Sequence, residues 1–199
     1  MDETRYREAI GRLVEPGERV LAQAKADVGG GLTPPPPPEP SSTAAPGRRT
    51  VGSVLLNVLL PVATWDRGDR LVDLVGWGIA GRGAPGSAAS RLHRALNPPR
   101  PAGAVRETLL AATDRRLLVC RTGPVKLLAG RDDEERALAE TEVVWSAART
   151  EVTSARVGWH RLNPKRLRFD FADGSWLAFT VPIAEPGTPL RAIAAALAG

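Results

Sequence analysis

Apolar positions at the start of the chain recur with helical spacing. Tyr6, Ile10, Leu13 and Val14 fall on one face, which predicts a helix over residues 4–15, with Asp2 or Thr4 as N-cap and Pro16-Gly17 to stop it. The period then changes. Val20, Ala22, Ala24, Ala26 and Val28 alternate with Arg19, Gln23, Lys25 and Asp27, and only Leu21 breaks the order, so residues 18–28 read as a half-buried strand.

Periodicity is lost at Gly29-Gly30-Gly31 and in the proline run 34–38, and Ser, Thr, Ala and Pro dominate up to Gly47. This is the composition of a linker, partly extended as polyproline II; any such run contains Pro-x-x-Pro, and the spacer reading is the simpler one. Residues 50–96 return to helical spacing in three short pieces, 51–65, 69–78 and 87–96. Pro61 interrupts the first, glycines end the second, and Asn97-Pro98-Pro99 ends the third. The insertion is expected to be a subregion of its own that contributes little to the core.

From Arg106 the texture is that of strands. Residues 108–113 and 116–121 are apolar runs joined by a tight turn at Asp114-Arg115, and further strands are expected at 142–146, 150–158, 165–171 and 175–181 after a polar, acidic loop at 131–136. In the last hairpin a three-residue loop, Ala172-Asp173-Gly174 with Gly174 left-handed, pairs Phe169 with Leu177 and Leu167 with Phe179. That register gathers the apolar residues on one face and turns Trp176 outward, across from Asp170. A closing helix over 188–198 can be capped by Thr188 with Pro189 in its first turn, and Leu190, Ile193 and Leu197 share its apolar face.

Composition narrows the function more than it names it. At 199 residues, with 43% hydrophobic residues but 18 prolines and 20 glycines, the chain has room for one core plus loops. The N-terminus lacks the basic and apolar regions of an export signal, which points to the cytoplasm. The longest apolar run, 51–65, falls short of the roughly 20 residues a membrane span needs. A net charge of +5 is spread among interspersed acids, the pattern of a solvated surface more than of a dedicated polyanion site. Cys120, between apolar neighbours, reads as a small core residue.

Catalytic signatures are not evident. Gly76-x-Gly78-x-x-Gly81 has the glycine spacing of a dinucleotide loop, but Arg82-Gly83-Ala84-Pro85-Gly86 follows where a long helix is required. His93 and His160 have no Cys or His partner at metal-ligand spacing and read as surface residues. The run Asp132-Asp133-Glu134-Glu135 reads as solvated charge in a loop before it reads as a cation site. No enzyme activity, cofactor or metal is expected.

The order of elements, one strand, an insertion, six strands and a terminal helix, resembles bacterial pleckstrin-homology-like (PH-like) domains. Leu109-Leu110-Ala111-Ala112-Thr113-Asp114-Arg115-Arg116-Leu117-Leu118-Val119 is similar to their second hairpin, with support from Glu18-Arg19-Val20-Leu21 and Phe171-Ala172-Asp173-Gly174-Ser175. The resemblance implies a mainly β, α+β fold: a seven-stranded antiparallel barrel capped by the C-terminal helix. Residues 1–28 and 105–199 would form that domain, with 29–104 as linker and helical insertion. The insertion sits where many such domains carry a headgroup-binding loop, so lipid recognition does not transfer. The class implied is a non-enzymatic interaction or scaffold module, peripheral at the inner membrane face if it docks on lipid.

One segment stands out as a contact surface. Residues 156–168 carry Arg156, Trp159, Arg161, Lys165, Arg166 and Arg168 without an acid, and the hairpin register adds Trp176. Guanidinium forks match phosphate oxygens, and an indole suits an interface. The bland alternative is a hairpin whose outward positions are arginine. A protein partner is the first expectation, an anionic lipid surface the second, and nucleic acid the alternative from another class.

Overall fold

The computed structural model describes residues 3–28, 32–33, 80–97, 105–125, 130–160, 163–181 and 186–198. The linker and the helices expected at 51–65 and 69–78 lie outside the described residues. The fold is mixed α+β, with two largely antiparallel sheets and a C-terminal helix.

The first sheet runs β1 (Val20–Lys25), β5 (Thr108–Thr113), β6 (Arg116–Arg121), β7 (Glu142–Ala148) in that spatial order. Its two central strands are continuous apolar runs because both of their faces are buried. Leu110, Ala112, Leu117 and Val119 face the main core, while Leu109, Ala111, Leu118 and Cys120 face a second cluster under α1 (Glu3–Gly11). Tyr6, Ala9 and Ile10 supply the helix side of that cluster. Cys120 is buried there, and burial pushes its thiol up to about 12, so it packs as a hydrophobe.

Helix α1 ends at Gly11 instead of running to Glu15. Leu13 bonds back to the Ile10 carbonyl at 2.9 Å, and the Glu15 amide is donated to the Glu18 carboxylate at 2.9 Å. The acidic segment expected as a loop is a helix, α3 (Arg131–Ala139). Asp132, Asp133 and Glu134 occupy its first turn, where carboxylates complement the helix dipole, and its buried residues are only Ala137 and Leu138. That sparse apolar content hid its period.

The second sheet is built on β8 (Val152–His160), β9 (Asn163–Phe171) and β10 (Trp176–Thr180), reached from β7 through a 3-10 turn at Arg149–Glu151. Phe169 pairs with Leu177 and Leu167 with Phe179, and Gly174 has φ of 77°, so the final hairpin adopts the bulged register. Three two-residue strands complete the other edge of β10. β2 (Asp27–Val28) pairs with it directly, as does β4 (Gly81–Arg82), and β3 (Leu32–Thr33) lies parallel to β4. Thr33 is therefore the neighbour of Arg82, and Leu32 of Gly81.

Strands form at all seven expected places, although the one expected over 18–28 breaks at Ala26 into β1 and β2 of different sheets, and the two sheets do not close into a barrel. Among the described residues no strand pairing joins them; the chain passes between them at Ala26 and at the 3-10 turn. Helices span the gap instead. α4 (Thr188–Ala198) lies against β1 and β5 of one sheet and β8 and β9 of the other, with Leu190 and Ile193 fully buried and Leu197 partly so. α2 (Ala88–Leu96) lies against β7 on one side and β4 and β10 on the other.

The packing of α2 corrects the expectation that the insertion adds little to the core. Ala80, Ala88, Ala89, Leu92 and Leu96 all belong to the main cluster. Both ends of the helix are held by the sheets. At its start the Ala88 amide is donated to Asp173 at 2.7 Å and the Ala89 amide to the Ser175 hydroxyl at 3.1 Å, while Ser87 caps Ser90. At its end the Arg121 guanidinium, from β6, bonds the Ala95 carbonyl. Gly83 is needed beside this cap, since a Cβ there would stand 2.3 Å from the Ser87 Oγ.

Candidate functional site

The outward face of the second sheet follows from its two-residue alternation. Leu167, Phe169 and Phe171 point into the core, so Arg166, Arg168 and Asp170 point away from it. The register sets Arg156 of β8 opposite Arg168, Gly158 opposite Arg166, and Trp176 of β10 opposite Asp170. Five of the seven expected residues, Arg156, Trp159, Arg166, Arg168 and Trp176, line one concavity of about 420 Å³ with Val157 and Gly158.

Two arginines facing each other across a strand pair repel, and Asp170 offsets this. Arg156 donates to one of its oxygens at 2.8 Å, and Arg168 donates through Nε to the other at 2.8 Å. The Arg168 guanidinium carbon also lies 4.3 Å from the Trp176 ring centroid, and that of Arg166 lies 5.4 Å from it. Trp159, at the end of β8, is 76% exposed. A Cβ on Gly158 would touch nothing within 4 Å, so this glycine leaves open space between the arginines and the indoles.

Lys165 is not part of the concavity. It has the opposite alternation, and its Cγ would stand 3.2 Å from a Cβ at Gly187, beside the start of α4. Arg161 lies outside the described residues. Asp170 and Gly158 were absent from the expected set; the signal for both was their place directly across from Trp176 and Arg166.

The Thr113-Asp114-Arg115-Arg116 segment serves the fold. Thr113 accepts the Arg116 amide at 2.9 Å and donates to Glu18 at 2.6 Å, and Asp114 accepts the Arg19 amide at 3.0 Å. Arg116 grips both Glu18 oxygens at 2.9 Å. That guanidinium, against the opposing effect of burial and with help from Thr113 and the Glu15 amide, holds the Glu18 carboxyl at about 2.

Other expected features fall away from the concavity. His93 is partly buried on α2, which corrects its reading as a surface residue, and burial lowers its pKa. Gly81 is a buried strand residue opposite Leu177, while Gly76 and Gly78 lie outside the described residues. Among the described residues no helix is long and apolar enough to cross a membrane. No family model, curated protein or solved structure matches the chain.

Proposed function

We propose that the protein is a non-enzymatic interaction module of PH-like type that docks an acidic partner on the outward face of its second sheet. The observation that carries this reading is the meeting of Trp159 and Trp176 with three arginines around one concavity. Large exposed aromatics flanked by arginine are enriched where proteins bind and scarce on inert surfaces. The two largely antiparallel sheets, of four strands and of three longer strands plus three two-residue ones, with a terminal helix between them, support the PH-like part of the reading.

Native capture of partners by the parent chain and by Arg156→Glu/Arg168→Glu tests it, alongside sedimentation with vesicles of phosphatidylserine and phosphatidylcholine. The parent should retain a partner or sediment, and the variant should do neither while keeping its circular dichroism spectrum. Equal retention by a folded variant would remove this face from the binding surface.

A further inference from the structure

We infer that α1 is a lid. It swings off the outer face of the first sheet about the turn at Pro16-Gly17 while both sheets and the main core stay folded, and so bares Leu109, Leu118 and the Cys120 thiol.

The two apolar clusters are separate, and α1 belongs to only one of them. Tyr6, Ala9 and Ile10 pack with Leu109, Ala111, Leu118, Cys120 and Leu138, whereas no residue of α1 is among the described members of the main cluster. Lifting the helix therefore leaves the main cluster intact. The rest of its hold is polar. The Tyr6 hydroxyl donates to Glu107 at 2.7 Å, Arg5 pairs with Glu135 at 2.7 Å, and Arg12 donates to the Leu138 carbonyl at 3.2 Å. Glu107 does not need the helix to keep its place. Lys25 donates to its other carboxylate oxygen at 2.7 Å, and the Glu107 amide is donated to the Thr122 hydroxyl at 3.0 Å. The acceptor of the Tyr6 latch thus stays in position when the helix is away. With nine residues, α1 is too short to be a stable helix alone, so undocking and unwinding are one event.

The chain also has a place to bend. Residues 15–17 are exposed, and Gly17 follows Pro16 with φ of 78°, in a turn closed by the Glu18 amide donating to the Glu15 carbonyl at 2.9 Å. Directly beyond it, Glu18 is fixed by Arg116 and Thr113. A turn between a lightly held helix and a fixed carboxylate is where hinge motion concentrates.

Beneath the helix Leu109 is 1% exposed, and Leu118 and Cys120 are 0% exposed. Burial pushes the Cys120 thiol up to about 12, so the closed form presents almost no thiolate and the reactive form is the opened one. As the single cysteine of the chain, Cys120 reports that form without interference.

Reaction of the full chain with excess dithiobis(nitrobenzoic acid) at mildly alkaline pH reads the opening. The thiolate attacks the reagent disulfide, a mixed disulfide forms, and one yellow thionitrobenzoate anion leaves. The parent should label in native buffer at a rate that rises only weakly with urea, because the opening exposes little surface. Global unfolding, followed by tryptophan fluorescence, should have the steep dependence. Tyr6→Phe should label about tenfold faster, since a hydrogen bond to a carboxylate is lost from the closed form alone. Ile193→Val, in the main core, should raise the global unfolding constant about fivefold and leave the labelling rate at that of the parent.

A thiol that reacts only across the global transition, or that speeds up with Ile193→Val as much as the global constant does, would overturn the inference. So would a folded Tyr6→Phe chain that labels like the parent. If Tyr6→Phe does not fold, the urea dependence of the parent and the Ile193→Val comparison decide.

Discussion

The carboxylate of Asp173, in the turn between β9 and β10, accepts the backbone amide of Ala88 at 2.7 Å across 85 positions of sequence. One turn thus caps a helix that the chain reaches only through its long insertion. The capped helix carries Leu92 and Leu96 into the gap between the sheets, and neither is more than slightly exposed. Loss of such a cap costs roughly 0.5 to 2 kcal/mol, and truncation of a buried leucine about 2 to 5 kcal/mol. Asp173→Ala should therefore lower the denaturation midpoint modestly, Leu92→Ala strongly, and removal of residues 29–99 should abolish cooperative unfolding. A cooperative transition in the shortened chain would show that the sheets seal without α2.

Acid should unfold this protein through Glu18. Its side chain is 0% exposed and its carboxyl is held at about 2 in the folded state, against an ordinary value of 4.5. A depressed folded pKa gives stability that is complete above the unfolded value and is lost as pH falls from about 4.5 toward 2. The contribution is of the order of a few kcal/mol, each pKa unit corresponding to about 1.4 kcal/mol. Glu18→Gln should lower stability at pH 7 and flatten its decline between pH 5 and 2. An unchanged slope in urea titrations across that window would refute the role of this carboxylate.

The strands were legible because each has a clear apolar face, and the final hairpin because only one register keeps Leu167, Phe169, Leu177 and Phe179 together. The site was legible as a cluster of residue types, since Arg166, Arg168 and Trp176 follow from that register. Three things were not. Helix α3 has too few apolar residues to show a period. The strands β3 and β4 are two residues each, and pairing that short is fixed by tertiary contact. The role of α2 depends on Asp173, Ser175 and Arg121, which meet it only in the folded chain. The way Asp170 draws Arg156 and Arg168 together was hidden for another reason: Arg156 comes from the neighbouring strand, 14 positions away, and reaches the carboxylate only once β8 and β9 are paired.

Two glycines of the second sheet should respond in opposite ways to a methyl group. Gly174 has φ of 77°, where a Cβ is strained whatever the space around it. Gly158 has no such backbone, and its Cβ would meet nothing within 4 Å. Gly174→Ala should cost about 1 to 2 kcal/mol, and Gly158→Ala should leave the melting temperature within about 1 °C of the parent. Equal effects would mean that the hairpin loop does not hold the bulged turn.

Arg166 and Arg168 sit two positions apart on one face of β9, yet their loss should have different consequences. Arg166 is 6% exposed, with its guanidinium carbon 5.4 Å from the Trp176 ring centroid, so its stem and head are both part of the packed surface. The Arg168 side chain is 39% exposed, and its pair with Asp170 is partly solvated. Exposed pairs of that kind contribute about 0 to 1 kcal/mol, whereas stranding a buried polar group costs about 1 to 3 kcal/mol. Arg166→Gln should thus lower the unfolding free energy by more than Arg168→Gln, measured in parallel urea titrations. Equal losses would place both side chains in the same environment and contradict the burial of Arg166. The asymmetry also decides how the contact face must be probed: charge reversal at Arg156 and Arg168 tests binding in a folded protein, while reversal at Arg166 would remove the sheet that presents the site.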